Sequence, residues 1–219
     1  MSKQVNQKDW WYIKTPITKD LEALTEVYNK KYGNHHNGLD LRLHDETFAV
    51  EFSRVLHQFK SAQNIILVGA NDGYEINFIK SIIPIAKITA LDVSTTALEK
   101  LEKQFPEVLI THGDMENIPF KNKEFDLYIS CRSINSTNVN IENAVMEAVR
   151  VSEEIIISVA NGYLINGKVQ KGMVDYKTNE FNLQLPLNIQ TEITTSLETK
   201  GYKVTHSESV SEFFISAKK

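Results

Sequence analysis

From Asn64 onward, short apolar runs rich in β-branched residues alternate with segments of helical period, and this alternation constrains the fold more than any other feature. It is typical of strand–helix–strand units, which build a parallel sheet covered by helices on both faces. Five strands are predicted here, at residues 65–68, 88–91, 108–110, 125–130 and 155–159. Because these runs are almost continuously apolar, we expect both faces of the sheet to be buried.

Helix start and stop signals separate the runs. Ser94 and Asn140 can cap helices after the second and fourth strands, and Gly201 can end a helix that precedes it. Residues 202–205 and 212–216 are then predicted as an antiparallel pair at the sheet edge, since their link is too short for a crossover helix. The sequence therefore predicts an α/β fold with a Rossmann-like, doubly wound, seven-stranded and mostly parallel sheet that has an antiparallel C-terminal edge strand.

Two helical patterns precede the first strand, one ending at Gly33 and the other beginning near Phe48. A chain of 219 residues is long enough for one sizeable core and short for two. We therefore expect an N-terminal helical cap or lid over residues 1–62, followed by one main domain over residues 63–219.

An insert follows the fifth strand within that domain. Asn166 followed by Gly167 is a strong two-residue turn signal, and it predicts a hairpin flap at about residues 161–175. Such a flap could cover a site together with the N-terminal helices. The alternative is a hairpin that only decorates the sheet edge.

Charge and cysteine content argue against several classes of protein. Lys and Arg number 24 against 28 Asp and Glu, a net charge of −4, so we expect no nucleic-acid partner. Cys131 is the single cysteine, which excludes an internal disulfide and suits a reducing compartment. No stretch approaches the roughly 18 consecutive apolar residues of a membrane span. We expect a cytoplasmic protein, without membrane attachment, that is a monomer or a homodimer.

A group of histidines before the first strand raises the question of a metal. His35, His36 and His44 lie near Asp40 and Asp45. Neighbouring histidines diverge on any regular element, however, and the spacing matches no familiar zinc pattern. No metal site is predicted.

The turn after the first strand is the first sign of chemistry. Gly69 and Gly73 frame it, and glycine lets backbone amides approach a ligand at the N-terminus of the next helix. A dinucleotide-binding turn has three glycines and space for a pyrophosphate, whereas here Asn71 and Asp72 lie between two glycines, and a carboxylate opposes a phosphate. The alternative is a tight strand-to-helix turn without a ligand.

An acidic residue ends the second strand. Asp92 lies roughly 20 residues after the glycine turn, where parallel-sheet nucleotide sites place a carboxylate that accepts hydrogen bonds from ribose hydroxyls. The alternative is a helix-capping residue ahead of Ser94.

A polar loop, residues 112–120, follows the third strand and closes with an apolar-Pro-Phe segment. Asp114 could accept a hydrogen bond from an exocyclic amine, and Met115 could line an apolar slot for a purine. His112 has the strand-end position of a general base, although no partner for it is visible. Taken alone, the segment is only a loop.

In this order and at these strand ends, the three elements resemble class I S-adenosylmethionine-dependent methyltransferases. The resemblance covers roughly residues 64–160 and is closest in text at residues 113–120 and 125–130. It implies S-adenosylmethionine as cofactor and methyl transfer to a small molecule or a short peptide, at N or O. Two alternatives stay open, a non-catalytic module that binds the cofactor or a partner, and a nicotinamide-dependent oxidoreductase.

The resemblance also implies roles for residues at the strand ends. The methionine end of the cofactor would meet the turn, the ribose and adenine would meet the next two loops, and the methyl-bearing sulfur would lie beside the end of the fourth strand. The residues implied for the methionine end are Gly69, Ala70, Asn71 and Gly73. Those implied for the ribose and adenine are Asp92, Val93, Asp114 and Met115, and those beside the sulfur are Ser130 and Cys131.

Two positions depart from the family pattern. Leu67 stands where the family usually has an acidic residue that organises the amino-acid end of the cofactor, and Asn71 replaces the middle glycine. Another residue could therefore hold the cofactor's carboxylate or amine, and Arg42 and Tyr12 from the N-terminal cap are candidates.

The acceptor is expected beside the segment that follows the fourth strand, because polar side chains there would face the transferred methyl group. Arg132 and Asn135 are the predicted catalytic residues, as contacts of the acceptor. Methyl transfer depends mainly on positioning a nucleophile, so a dedicated base is optional. The alternative is that Arg132 pairs with a surface carboxylate and Asn135 is solvated.

Overall fold

A seven-stranded sheet lies at the centre of the computed structural model, which describes residues 18–33, 46–136, 139–165, 168–171, 173–175, 180–182 and 185–219. The strands are β1 (Asn64–Val68), β2 (Lys87–Asp92), β3 (Leu109–His112), β4 (Phe125–Cys131), β5 (Ser152–Ala160), β6 (Gly162–Ile165), β7 (Lys168–Lys171), β8 (Met173–Asp175), β9 (Glu180–Asn182), β10 (Lys203–Glu208) and β11 (Glu212–Lys218). The helices are α1 (Leu21–Gly33), α2 (Glu46–Leu56), α3 (Tyr74–Ile82), α4 (Thr95–Gln104), α5 (Ile141–Val151) and α6 (Leu185–Thr199), with a 3₁₀ turn, His57–Phe59, after α2.

The strand order of the main sheet is β10-β11-β5-β4-β1-β2-β3. Neighbours among β1 to β5 pair in parallel, whereas β11 is antiparallel to both β5 and β10. The predicted Rossmann-like fold is confirmed. The last strand lies one place in from the edge, and β10 forms the edge itself. Because β1 pairs with β2 on one side and with β4 on the other, the strand order reverses at β1, where ligands of such sheets bind beyond the carboxyl ends.

Helix boundaries follow the signals in the sequence. The Ser94 hydroxyl caps α4 by accepting a hydrogen bond from the Ala97 amide at 3.2 Å, and the Asn140 side chain caps α5 in the same way through the Asn143 amide. Gly201 has a left-handed φ of 80° just after α6. These short-range interactions explain why helix starts and stops could be predicted from the sequence.

The core has two layers, one on each face of the sheet. One layer contains buried residues of α5 and α6, and the other contains those of α2, α3 and α4. In the second layer, Phe48 and Phe52 of α2 are fully buried, with ring centroids 5.5 Å apart, and both pack against Phe214 of β11. The second N-terminal helix is therefore part of the hydrophobic core.

The insert after β5 contains two small hairpins. β6 pairs antiparallel with β7, Ile165 opposite Lys168, in the region where the sequence predicts a hairpin flap. The predicted turn residues, Asn166 and Gly167, lie outside the described part of the chain. β8 pairs with β9 in a second hairpin that the sequence did not predict.

No helix among the described residues is both long enough and apolar enough to cross a bilayer.

Candidate functional site

The glycine turn after β1 is tightly folded. Gly69, Asn71 and Gly73 have φ values of 69°, 48° and 84°. A Cβ atom at Gly69 would overlap the Ser133 hydroxyl, and one at Gly73 would lie 2.9 Å from Ile76 and Phe105 side-chain atoms. Both glycines are therefore required by backbone conformation and by close packing within the protein.

The backbone amides of this turn are already occupied. The Gly69 and Ala70 amides donate to the Leu91 carbonyl oxygen, at 2.8 and 3.2 Å, and the Gly73 amide donates to the Ala70 carbonyl oxygen at 2.9 Å. The Asn71 amide donates to Asp92 Oδ2 at 2.9 Å. The expectation that these amides would face a ligand is thus wrong for all four, because three of them bind the end of β2 and the Gly73 amide closes the turn on itself.

Asp92 is buried where β2 ends, with 4% of its surface exposed. Its Oδ1 accepts a hydrogen bond from the Ser94 amide at 2.8 Å, while Oδ2 holds the Asn71 amide. Burial raises the pKa of the Asp92 carboxyl, and the amide donors and the nearby His112 oppose that rise. Asp92 therefore supports the start of α4, as its capping alternative proposed, and also fixes the glycine turn.

The loop after β3 contacts the glycine turn through Met115. This side chain is 8% exposed, and its Cε lies 3.7 Å from the position that a Cβ of Gly69 would take. The Asp114 carboxylate accepts from the Glu116 amide at 3.0 Å and so stabilises its own loop. Val93, next to Asp92, is half-buried. The structure therefore brings the ends of β1, β2 and β3 to one edge.

The end of β4 completes this edge. Ser130 is fully buried, and neither its hydroxyl nor Oδ1 of Asn135 has a hydrogen-bond partner among the described residues. Arg132 has a left-handed φ of 57°, and its amide donates to the Ser158 carbonyl oxygen of β5 at 3.1 Å. Ser133, which sequence reasoning missed, has a hydroxyl whose single proton faces both the Gly69 carbonyl oxygen at 3.2 Å and the Cys131 carbonyl oxygen at 3.1 Å.

A buried carboxylate lies on the neighbouring strands. Glu212 begins β11 opposite Ala160 at the carboxyl end of β5, is fully buried, and accepts a hydrogen bond from the Ser158 hydroxyl. Sequence reasoning missed Glu212 as a site residue, because its place beside β5 depends on the pairing of two strands far apart in the chain. The acceptor side of the edge thus contains a buried acidic group.

Helix α1 lies across the same edge. Its side chains bond to the last residue of β3 and to residues that follow β2 and β4, and the pairs are Thr25 with His112, Tyr28 with Ser136, and Asn29 with Ser94 and Thr95. Lys19, just before the helix, pairs with Glu116 of the loop after β3. Sequence reasoning identified the helix but missed these contacts. Their sequence signal is a polar stripe at positions 25, 28 and 29, which is the spacing of one helix face.

One of these contacts bears on the role of His112. Thr25 Oγ1 donates its single proton to the Leu21 carbonyl oxygen at 2.7 Å. The bond of 2.9 Å between Thr25 Oγ1 and His112 Nε2 is therefore donated by the histidine. A nitrogen that carries a proton cannot accept one, so this contact does not fit His112 Nε2 as a general base.

Several candidates lie outside the described residues, namely Tyr12, Arg42, His35, His36 and His44. Within the described residues, no three His, Cys, Asp or Glu side chains lie close enough together to hold a metal ion.

Comparison with known proteins agrees with this geometry. Residues 65–154 match the family model of a methyltransferase domain. That segment contains the glycine turn, Asp92 and the loop after β3. No curated protein matches the sequence significantly.

Solved methyltransferase structures share the fold. A S-adenosylmethionine-dependent methyltransferase from Aquifex aeolicus is 11% identical, covers 91% of this chain and 98% of its own, and gives a TM-score of 0.57. The methyltransferase domain of bacterial CtHen1 is 15% identical over 78% of this chain and 97% of its own, with a TM-score of 0.61. A protein from Pyrococcus horikoshii is 10% identical over 86% of this chain and 98% of its own, with a TM-score of 0.58.

At these identities the solved structures show a shared fold, and the family model supplies the activity. The matched segment carries β1 to β4, so it contains the strand reversal at which a cofactor of this fold binds. The family match and the shared fold thus support a methyltransferase that uses S-adenosylmethionine as its cofactor.

Proposed function

We propose that this enzyme methylates a small molecule or a short peptide at a nitrogen or oxygen atom. The observation that carries the proposal is the junction at Asp92, which joins the glycine turn to the start of α4 at the point where the strand order reverses. The cofactor would lie beyond β1, β2 and β3, and the acceptor beyond β4.

The residues at the end of β2 fit the adenosine part of the cofactor. The Ser94 and Asn71 amides donate to the two Asp92 oxygens, and the Val93 amide also interacts with the carboxylate. Because an ionised carboxylate has roughly four lone-pair sites, Asp92 can still accept a hydrogen bond from the ribose. The half-buried Val93 would cover one face of the adenine, and the Met115 side chain would pack elsewhere against the ring. Asp114 would accept from the adenine amine with the lone pairs that its loop leaves open.

The methionine end needs a different account from the one that the sequence suggested. Leu67 is 1% exposed and packs in the core, so it offers nothing to an ammonium group. Since the amides of Gly69, Ala70, Asn71 and Gly73 are occupied, the turn would meet the ligand through carbonyl oxygens and close packing. The Gly69 carbonyl oxygen, which also accepts from Ser133, is the proposed contact for the cofactor's amine.

When bound, S-adenosylmethionine supplies an electrophilic methyl group on its sulfonium. The protein has to hold a nucleophile about 3 Å from that carbon and keep water out. Oδ1 of Asn135 is buried and lacks a partner among the described residues, so it can accept a hydrogen bond from an N–H or O–H of the acceptor and orient it. Arg132 is the proposed second contact, and Ser130 would lie beneath the reacting groups.

Size and charge support a small acceptor. Helix α1 crosses the edge and bonds to the loops after β2, β3 and β4, which restricts the space above the cofactor. The net charge of −4 disfavours long polyanions. A small molecule or the end of a short peptide fits both conditions better than a folded or polymeric substrate.

The test is transfer of an isotopically labelled methyl group. The purified protein is incubated with labelled S-adenosylmethionine and size-fractionated cell extract, and products are detected by mass spectrometry. We expect labelled products in the low-molecular-mass fraction, with the label on N or O, and an Asn135→Ala variant that forms them more slowly. Label found only in nucleic acid or in large proteins would contradict the proposed acceptor class.

A further inference from the structure

Asn29 on helix α1 is held by three hydrogen bonds to the residues that follow Asp92. Its Oδ1 accepts from the Ser94 hydroxyl at 2.8 Å and from the Thr96 amide at 3.1 Å, and its Nδ2 donates to Thr95 Oγ1 at 2.9 Å. One half-buried side chain thus fixes three consecutive residues at the start of α4.

These residues lead directly to the carboxylate. Ser94 is fully buried, its amide donates to Asp92 Oδ1, and its hydroxyl accepts from the Ala97 amide while donating to Asn29. Asp92 Oδ2 in turn holds the Asn71 amide of the glycine turn. A continuous path of hydrogen bonds therefore runs from α1 through Ser94 and Asp92 to the turn.

We propose that Asn29 is a positioning residue for the cofactor. It fixes Ser94, whose amide holds the Asp92 carboxylate in the orientation that receives the ribose hydroxyls. This inference rests on the proposed role of Asp92. By this inference the N-terminal helix contributes to cofactor affinity indirectly, because Asn29 acts through Ser94 and Asp92 and does not itself touch the ligand.

Other contacts of α1 strengthen the coupling between docking of the helix and binding of the cofactor. Thr25 and Tyr28 lie on the same helix face as Asn29 and bond to His112, the last residue of β3, and to Ser136 in the loop after β4. A ligand that orders these strand ends therefore favours the docked helix, and the docked helix favours the ligand, because coupling between two sites is reciprocal.

The first experiment is an Asn29→Ala substitution. We expect S-adenosylhomocysteine to bind about tenfold more weakly, the effect of losing a hydrogen bond or two that position a ligand group. Alanine favours helix more than asparagine does, so α1 itself is not weakened. The matched control is Lys30→Ala, at the next residue, whose side chain is 70% exposed and bonds to Glu26 on the same helix. This variant should bind S-adenosylhomocysteine like the wild type.

Two further measurements separate positioning from general loosening. A S-adenosylhomocysteine analogue without the two ribose hydroxyls should bind equally to the wild type and to Asn29→Ala, since the effect acts through those hydroxyls. An Asn29→Asp variant keeps the oxygen that Ser94 and Thr96 use, and a negative charge near the start of α4 is tolerated. It should bind S-adenosylhomocysteine within about threefold of the wild type, because only one of the three bonds is lost.

The outcomes distinguish this inference from the proposed function. A wild type that does not bind S-adenosylhomocysteine would overturn the cofactor site itself. A wild type that binds, together with an Asp92→Ala variant that binds poorly and an Asn29→Ala variant that binds normally, would overturn only the role of Asn29. The role of Asn29 would also be overturned if Asn29→Ala lost as much affinity for the analogue as it loses for S-adenosylhomocysteine.

Discussion

Two glycines with left-handed φ values differ in their surroundings and provide a matched pair of substitutions. Gly69, with φ of 69°, faces the Ser133 hydroxyl, whereas Gly201, with φ of 80°, has nothing within 4 Å of a built Cβ. Gly201→Ala should cost about 1 kcal/mol of unfolding free energy from backbone strain alone. Gly69→Ala should cost roughly 1–3 kcal/mol more, because Ser133 must also move. Urea denaturation measures both, and equal losses would show that Ser133 does not constrain Gly69.

The raised pKa of Asp92 predicts a pH dependence for cofactor binding. Burial is the main cause of the rise, so protonation begins above the ordinary aspartate value of 3.8. A protonated carboxyl loses an acceptor site for a ribose hydroxyl, so S-adenosylhomocysteine affinity should fall as the pH decreases from neutral into the acidic range. Titrations across this range measure the effect. An Asp92→Asn variant should bind weakly with a flatter profile, and an equally steep profile in this variant would assign the dependence to another group.

The same shift acts on stability with the opposite sign. A raised pKa means that the folded chain holds the Asp92 proton more tightly than the unfolded chain does. Asp92 therefore favours folding below its ordinary pKa, and that contribution is lost as the pH rises through the folded value. An ionised, buried Asp92 thus costs stability, as expected for a group that serves a ligand.

At the scale of single residues, the sequence predicted the positions that local chemistry determines. Asp92 ends an apolar run, and Gly69 and Gly73 frame a strand-to-helix turn, so their places could be predicted. Ser133 and Asn29 could not, because each depends on a contact between segments about 65 residues apart. The use of the turn amides was predicted wrongly as well, since the partners of three of them lie on the neighbouring strand β2.

Among the elements, helix α2 belongs to the core, and this can be tested directly. Phe52 is fully buried and stacks on Phe48 and Phe214. Phe52→Ala should lower the unfolding free energy by about 3–5 kcal/mol, from lost burial and the cavity that remains. Val50 on the same helix is 70% exposed, and Val50→Ala should stay within about 0.5 kcal/mol of the wild type. Chemical denaturation measures the free energy of unfolding of both variants. A small loss of unfolding free energy for Phe52→Ala would mean that α2 is a detachable lid.

The strands and helices of the main domain were predictable because their patterns are local. Apolar runs gave β1, β2, β4 and β5, although β5 begins three residues earlier than predicted, at Ser152. The second hairpin, β8 and β9, was missed because its strands have three residues each and carry no period. The function of α1 was not predictable either, since its polar stripe has meaning only against the loops it touches.

For the whole molecule, the alternation of strands and helices determines the sheet. The N-terminal helices then dock on it, α2 in the core on one face and α1 against the loops at the carboxyl ends of the strands. The missing third glycine and Asp72 in the turn argued against a nicotinamide enzyme, and the methyltransferase family match agrees. What the sequence could not predict is how α1 bonds to residues at or after the ends of β2, β3 and β4. That arrangement arises from side-chain pairs far apart in the chain.

The most direct test of this account is isothermal titration of the wild type and Asp92→Ala with S-adenosylmethionine. The wild type should release heat with one site per chain, and Asp92→Ala should bind more weakly by roughly 1–3 kcal/mol if the carboxylate holds the ribose. Thermal unfolding of the variant checks that it is folded. Absence of heat with the wild type at high protein concentration, or unchanged affinity in a folded Asp92→Ala, would contradict the account.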